Sequence, residues 1–98
     1  MKYKLIYTEL ALDDIADTKR YLSGFYPGTW PRFAQKLEED VSMLSCMPYM
    51  CQQYRIDSDY RCLAVEAFLL FYKVNEDEKT VYVHRVLHGA RNIQQYLK

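Results

Sequence analysis

Arginine and histidine are interleaved with strand-forming residues through the last third of the chain. Tyr60-Arg61-Cys62 opens the stretch, Phe68-Leu69-Leu70-Phe71-Tyr72-Lys73-Val74 follows, and Val83-His84-Arg85-Val86-Leu87-His88-Gly89-Ala90-Arg91 closes it. Cations are costly to bury alone, so strands that carry them in alternation predict a sheet with one packed face and one face presenting guanidinium and imidazole groups. Such a face is a candidate anion site. Parity puts His84 with Tyr82, Val86 and His88, and Arg85 with Val81, Val83 and Leu87. His84 and His88 then share the open face, and Arg85 sits at the edge of the core row, in an ion pair or snorkelling outward. A metal reading fails on spacing, because histidines four apart on a strand lie about 13 Å from each other. Cys46 and Cys51 lack the Cys-x-x-Cys spacing of a zinc knuckle, so neither metal nor small-molecule cofactor is expected.

The chain that must position these groups has 98 residues, the size of one domain, 1–98, able to remove roughly two thirds of its unfolded surface from water. Half the residues are apolar and ten are Tyr, which excludes disorder and leaves amphipathic aromatics for a contact surface. Thirteen Lys and Arg balance thirteen Asp and Glu, so any polyanion site must be local. The imbalance is local indeed: Lys79, Arg85, Arg91 and Lys98 follow one another with no acid among them. Asp13, Asp14 and Asp17, and again Glu38, Glu39 and Asp40, read as solvated helix faces. Three cysteines without paired spacing predict reduced thiols and a cytoplasmic protein. Glu9, Asp13 and Asp14 interrupt the apolar run a signal peptide would need after Lys2 and Lys4. No apolar stretch is long enough for a bilayer, so no membrane partner is expected.

Residues Lys2 to Tyr7 predict a short strand ending at Thr8, whose hydroxyl can cap a following helix. Ala11, Ile15, Thr18, Leu22 and Phe25 step by four and three, giving a helix from about Glu9 to Gly24 or Phe25. Gly24-Phe25-Tyr26-Pro27-Gly28 is turn chemistry. Thr29 offers a second cap, and Ala34, Leu37, Val41 and Leu44 carry a second helix that Pro48 stops. Strand patterns then cover Cys51 to Ile56, Arg61 to Val65, Phe68 to Val74 and Thr80 to Leu87, with turns at Asp57-Ser58-Asp59 and Asn75-Glu76-Asp77-Glu78. Connections this short force antiparallel pairing. Ile93 and Leu97 support a possible short C-terminal helix. The fold class is α+β: an N-terminal strand and a two-helix hairpin packed on one face of a curved antiparallel sheet, with the other face partly open.

Those elements in that order resemble the RelE/ParE superfamily of bacterial toxin–antitoxin toxins. The resemblance is carried by Asp14-Ile15 and Tyr21-Leu22, by Leu44 followed by Pro48, by Arg61 opening a strand, by Phe71-Tyr72-Lys73-Val74 before an acidic turn, and above all by Arg85-Val86-Leu87-His88-Gly89. It implies a growth-arresting toxin of a type II module, neutralised by a cognate antitoxin. RelE-like members enter the ribosome and cleave mRNA with the RNA's own 2′-hydroxyl as nucleophile. ParE-like members poison DNA gyrase without chemistry of their own.

An RNA cut needs a base for the 2′-hydroxyl, an acid for the leaving oxygen and fixed cations around the phosphorane. Arg61 falls where RelE-like toxins carry a phosphate-contacting strand arginine, and Arg91 lies in their basic C-terminal segment. The alternative for Arg61 is an ion pair with Glu66 or another surface acid. His88 is the candidate for proton transfer, with Gly89 leaving room for substrate; its alternative is a hydrogen bond closing the last strand. Tyr96 resembles the C-terminal tyrosine of RelE-like toxins, or else packs a terminal helix. Trp30, Tyr26 and Phe33 form an antitoxin contact or anchor the second helix in the core. Neutral overall charge and the lack of a lysine cluster point toward the gyrase branch, while Arg61, His88, Arg91 and Tyr96 together could furnish a ribonuclease site. Outside the family, an open sheet face could bind a peptide with no toxicity.

Overall fold

The computed structural model describes residues 2–55, 59–90 and 93–97, apart from the side chain of Gln94. Strand β1, Lys4–Tyr7, leads directly into helix α1, Glu9–Ser23. Thr8 joins them as its position predicts: its hydroxyl oxygen accepts from the Ala11 amide at 3.2 Å and donates to the His84 carbonyl at 3.0 Å. One side chain thus starts the helix and ties it to the sheet. Helix α2, Thr29–Leu44, begins without the predicted cap, because Gly28 occupies the capping position and Thr29 is already helical. Phe33, Leu37, Val41 and Leu44 form its buried stripe. Pro48 is buried beyond its end, and its carbonyl accepts the Tyr72 hydroxyl at 2.9 Å.

Strands β2, Arg61–Val65, β3, Phe68–Asn75, and β4, Thr80–His88, form the predicted antiparallel meander. The sheet order is β1-β4-β3-β2, and β1 runs parallel to β4. The sheet is therefore mixed where an antiparallel one was expected. The physical reason is the connection: two helices between β1 and the meander supply a crossover long enough for parallel pairing. The helices cover one face, where Ala11, Phe33, Val41 and Leu44 meet Val65, Leu70, Tyr72, Val81 and Val83.

The opposite face is covered in part, leaving Lys73, Tyr82 and His84 half-buried. Phe71, Leu87, Ile93 and Leu97 form a second buried cluster flanked by Tyr54, Tyr60, Cys62, Leu69 and Tyr96. The segment before β2 and the C-terminal turn supply that cover. The strand expected from Cys51 is absent over described residues 51–55, where a single bridge joins Gln53 to Arg61. The amides of Tyr54 and Cys62 still exchange bonds across the pair, to the Tyr60 and Gln52 carbonyls at 2.7 and 3.3 Å. Gln52 and Gln53 break the apolar alternation that a longer ladder needs. The C-terminal helix is one 3-10 turn, Ile93–Gln95.

A bulge alters the parity of β4. Tyr72 pairs with Val83 and Phe71 with Arg85, so His84 is an extra residue. Alternation restarts after it. Val86 and His88 then share the helix-covered face with Leu70 and Phe68, while Arg85 and Leu87 side with Phe71 and Leu69. The assignments of Leu87 to the main core and of His88 to the open face are both corrected by this one inserted residue.

Candidate functional site

Arg61 opens β2 at one end of the sheet. Its Nη1 donates to the Cys51 carbonyl at 2.6 Å, and its guanidinium carbon lies 4.9 Å from the centre of the Tyr49 ring. Tyr49, Gln53, Asp59, Tyr72 and Lys73 complete a recess of about 240 Å³ around it. The alternative partner Glu66 is taken by Arg32 of α2. Arg61 thus ties the 49–53 segment to the sheet.

His88 stands at the other end. The register aligns Arg61 with Tyr72 and Val83, but Val65 with Phe68 and His88. Four residues along the strands and two strand spacings across separate the two levels, roughly 16 Å. His88 Nδ1 accepts the Ala90 amide at 3.1 Å. Its ring is edge-on to Phe68 at 5.1 Å and to Tyr21 at 6.4 Å. These rings line a cleft of about 290 Å³ with Asp14, Asp17, Thr18, Val86 and Ala90, between α1 and the end of β4.

Tyr96 is half-buried on the far face, where the Arg85 guanidinium carbon lies 5.4 Å from its ring centre and Nη1 of Arg85 donates to its carbonyl at 3.0 Å. Arg91 lies outside the described residues. The structure therefore does not bring Arg61 and His88 into one constellation, and it ties Tyr96 to Arg85. Of the three aromatics at the helix junction, Phe33 is core, Trp30 packs against the core and Tyr26 is exposed.

Two groupings escape a reading by residue type. The first is Asp14, which reads as a solvated acid but is buried. Its carboxylate accepts from Arg85 Nε at 2.7 Å, Arg85 Nη2 at 2.9 Å and the Val86 amide at 3.0 Å. The cause lies in β1, which stops pairing at Val83 and leaves the following edge of β4 uncovered. Asp14 satisfies the amide there. Its hydrogen bond pushes the Arg85 guanidinium still further above its ordinary range, against the effect of burial.

The second grouping is Tyr60, Lys73, Tyr82 and His84. Lys73 Nζ lies 4.6 Å from the Tyr60 ring centre, and the His84 ring is 5.5 Å from Tyr60 and 6.4 Å from Tyr82. Burial, and then the Lys73 charge, hold the His84 imidazole below its usual pKa of 6.5. A neutral imidazole beside an ammonium can accept a proton near an anion. Only strand register, set by the bulge, assembles this group.

The cysteines are unpaired, and burial pushes the Cys62 thiol up to about 11. Among the described residues no three His, Cys, Asp or Glu side chains gather as metal ligands, and no helix is long and apolar enough to cross a membrane.

Comparison with known proteins places this geometry. A family model described as "ParE toxin of type II toxin-antitoxin system, parDE" matches residues 5–93. The toxin fold recurs in the chromosomal ParDE system of P. aeruginosa, with a TM-score of 0.75 at 17% identity over 89% of this chain and 96% of that one. The RelBE2 toxin–antitoxin complex of Mycobacterium tuberculosis gives 0.66 at 22% identity over 90% and 99%. The isolated E. coli RelE toxin gives 0.59 at 19% identity over 95% and 92%. At these identities the structural likenesses establish the fold alone. No curated protein sequence matches the chain significantly.

Proposed function

This chain belongs to the ParE toxin family and is the toxin of a type II toxin–antitoxin system; on that premise we propose that it arrests growth by binding DNA gyrase and not by cutting mRNA. A cognate antitoxin neutralises it in the resting cell. One observation carries the choice: Arg61 and His88, the fixed cation and proton carrier that an RNA cut would use together, stand at opposite ends of the sheet. Each is engaged by its own chain, Arg61 with the Cys51 carbonyl and His88 with the Ala90 amide. A phosphorane needs both within hydrogen-bond reach of adjacent atoms. The balance of thirteen basic and thirteen acidic residues also gives little attraction to the phosphate-dense ribosome.

The test is two assays on the purified toxin. Gyrase supercoiling should fall and gyrase-linked DNA breaks should accumulate, with the same effect from Arg61→Ala and His88→Ala protein that remains folded. Messenger RNA cleavage in translating ribosomes, with gyrase unaffected, would refute the proposal. A second reading rests on the neutral His84 imidazole beside Lys73 and Tyr60: an RNA-cleaving centre on the far face. Cleavage lost in His84→Ala but kept in His88→Ala would establish it. Growth arrest on induction without the antitoxin separates both from a peptide-binding module.

A further inference from the structure

A cleft between α1 and the end of β4 lies beside His88. Its walls are rings: Phe68 is buried, Tyr21 is 56% exposed, and His88 stands edge-on to both. Most of its polar groups are already committed. Asp14 is neutralised by Arg85, the Thr18 hydroxyl donates to the Asp14 carbonyl at 2.8 Å, and His88 Nδ1 accepts the Ala90 amide. Asp17 remains. Its pairing with Arg20 lies within one helix turn, with side chains 54% and 73% exposed, and exchanges readily. Aromatic rings beside an exposed carboxylate whose partner exchanges with water attract a cation. An anion would be repelled by Asp17, and an apolar group would strip that carboxylate of water without return.

We propose that this cleft receives a basic side chain, a lysine or arginine of the antitoxin segment that covers the toxin. The identity of the donor rests on the reading of the chain as an antitoxin-bound toxin. The cleft volume of about 290 Å³ has room for one such side chain.

The probe is N-acetyl-arginine N-methylamide, with its neutral isostere N-acetyl-citrulline N-methylamide as control, titrated into isotope-labelled toxin. Saturable amide shifts at Thr18, Tyr21 and His88 are expected with the arginine probe and not with the citrulline one. Asp17→Asn should weaken binding about three- to fivefold, the size of an exposed charge contact. Equal shifts from both probes, or shifts confined to Glu38, Glu39 and Asp40, would overturn the site. The toxin–antitoxin complex should give no such shifts. An unchanged response in the complex would overturn the antitoxin as occupant, while growth arrest and gyrase inhibition, measured separately, report on the toxin reading itself.

Discussion

Replacing Asp14 by Ala should remove a large part of the stability of this protein. The Asp14 and Arg85 side chains are 8% and 14% exposed, so the change strands a guanidinium in a site nearly sealed from water. Breaking a buried pair from one side costs about 3–5 kcal/mol, against a total of roughly 5–15 kcal/mol for a domain. Part of that cost is the Val86 amide, which loses its acceptor; an orphaned buried donor is worth about 1–3 kcal/mol. Urea unfolding at neutral pH, followed by circular dichroism, gives the number. Asp14→Asn keeps an acceptor for the amide and should lose less. The pair Asp14→Leu with Arg85→Met removes both charges and should recover more than about 2 kcal/mol over the sum of the single losses. Additive single losses, or a cost below about 1 kcal/mol for Asp14→Ala, would refute the view that this acid is a buried partner.

Two further outcomes follow from individual contacts. Burial and Lys73 depress the His84 pKa in the folded state, so below pH 6.5 the unfolded chain takes up the proton first. Stability should then decline as pH falls through that value and level off once the folded ring also titrates; His84→Gln should flatten this slope in urea melts between pH 7 and 5. Tyr72→Phe leaves the buried Pro48 carbonyl without its hydroxyl donor at 2.9 Å and should cost about 1–2 kcal/mol in the same assay.

Much of the fold was legible in the sequence because it depends on local chemistry. Thr8 caps its helix, Leu37, Val41 and Leu44 lie in the buried stripe of α2 with Phe33 in place of the expected Ala34, and β2 runs from Arg61 to Val65 as its alternation predicts. The site was harder to read, since faces depend on long-range register. Parity counted from Val81 places His88 opposite its true side, because nothing in the letters Val83-His84-Arg85 marks an extra residue. Asp14 is indistinguishable by type from its neighbour Asp13, yet an uncovered strand edge contributed by residues some seventy positions away makes it a core group. The cover over the far face escaped for a similar reason: Tyr54, Tyr60 and Tyr96 are amphipathic, and only the fold shows that they pack against the far-face cluster.

The placement of β4 between β1 and β3 has a consequence for biosynthesis. Strand β4 is made after both of its neighbours, so a growing polypeptide carries β1 as an orphan until Thr80–Val83 has left the ribosomal tunnel. Its partner pairs are separated by more than seventy residues, and such distant pairing forms late and slowly. A half-made copy therefore has no assembled sheet until its last strand has paired.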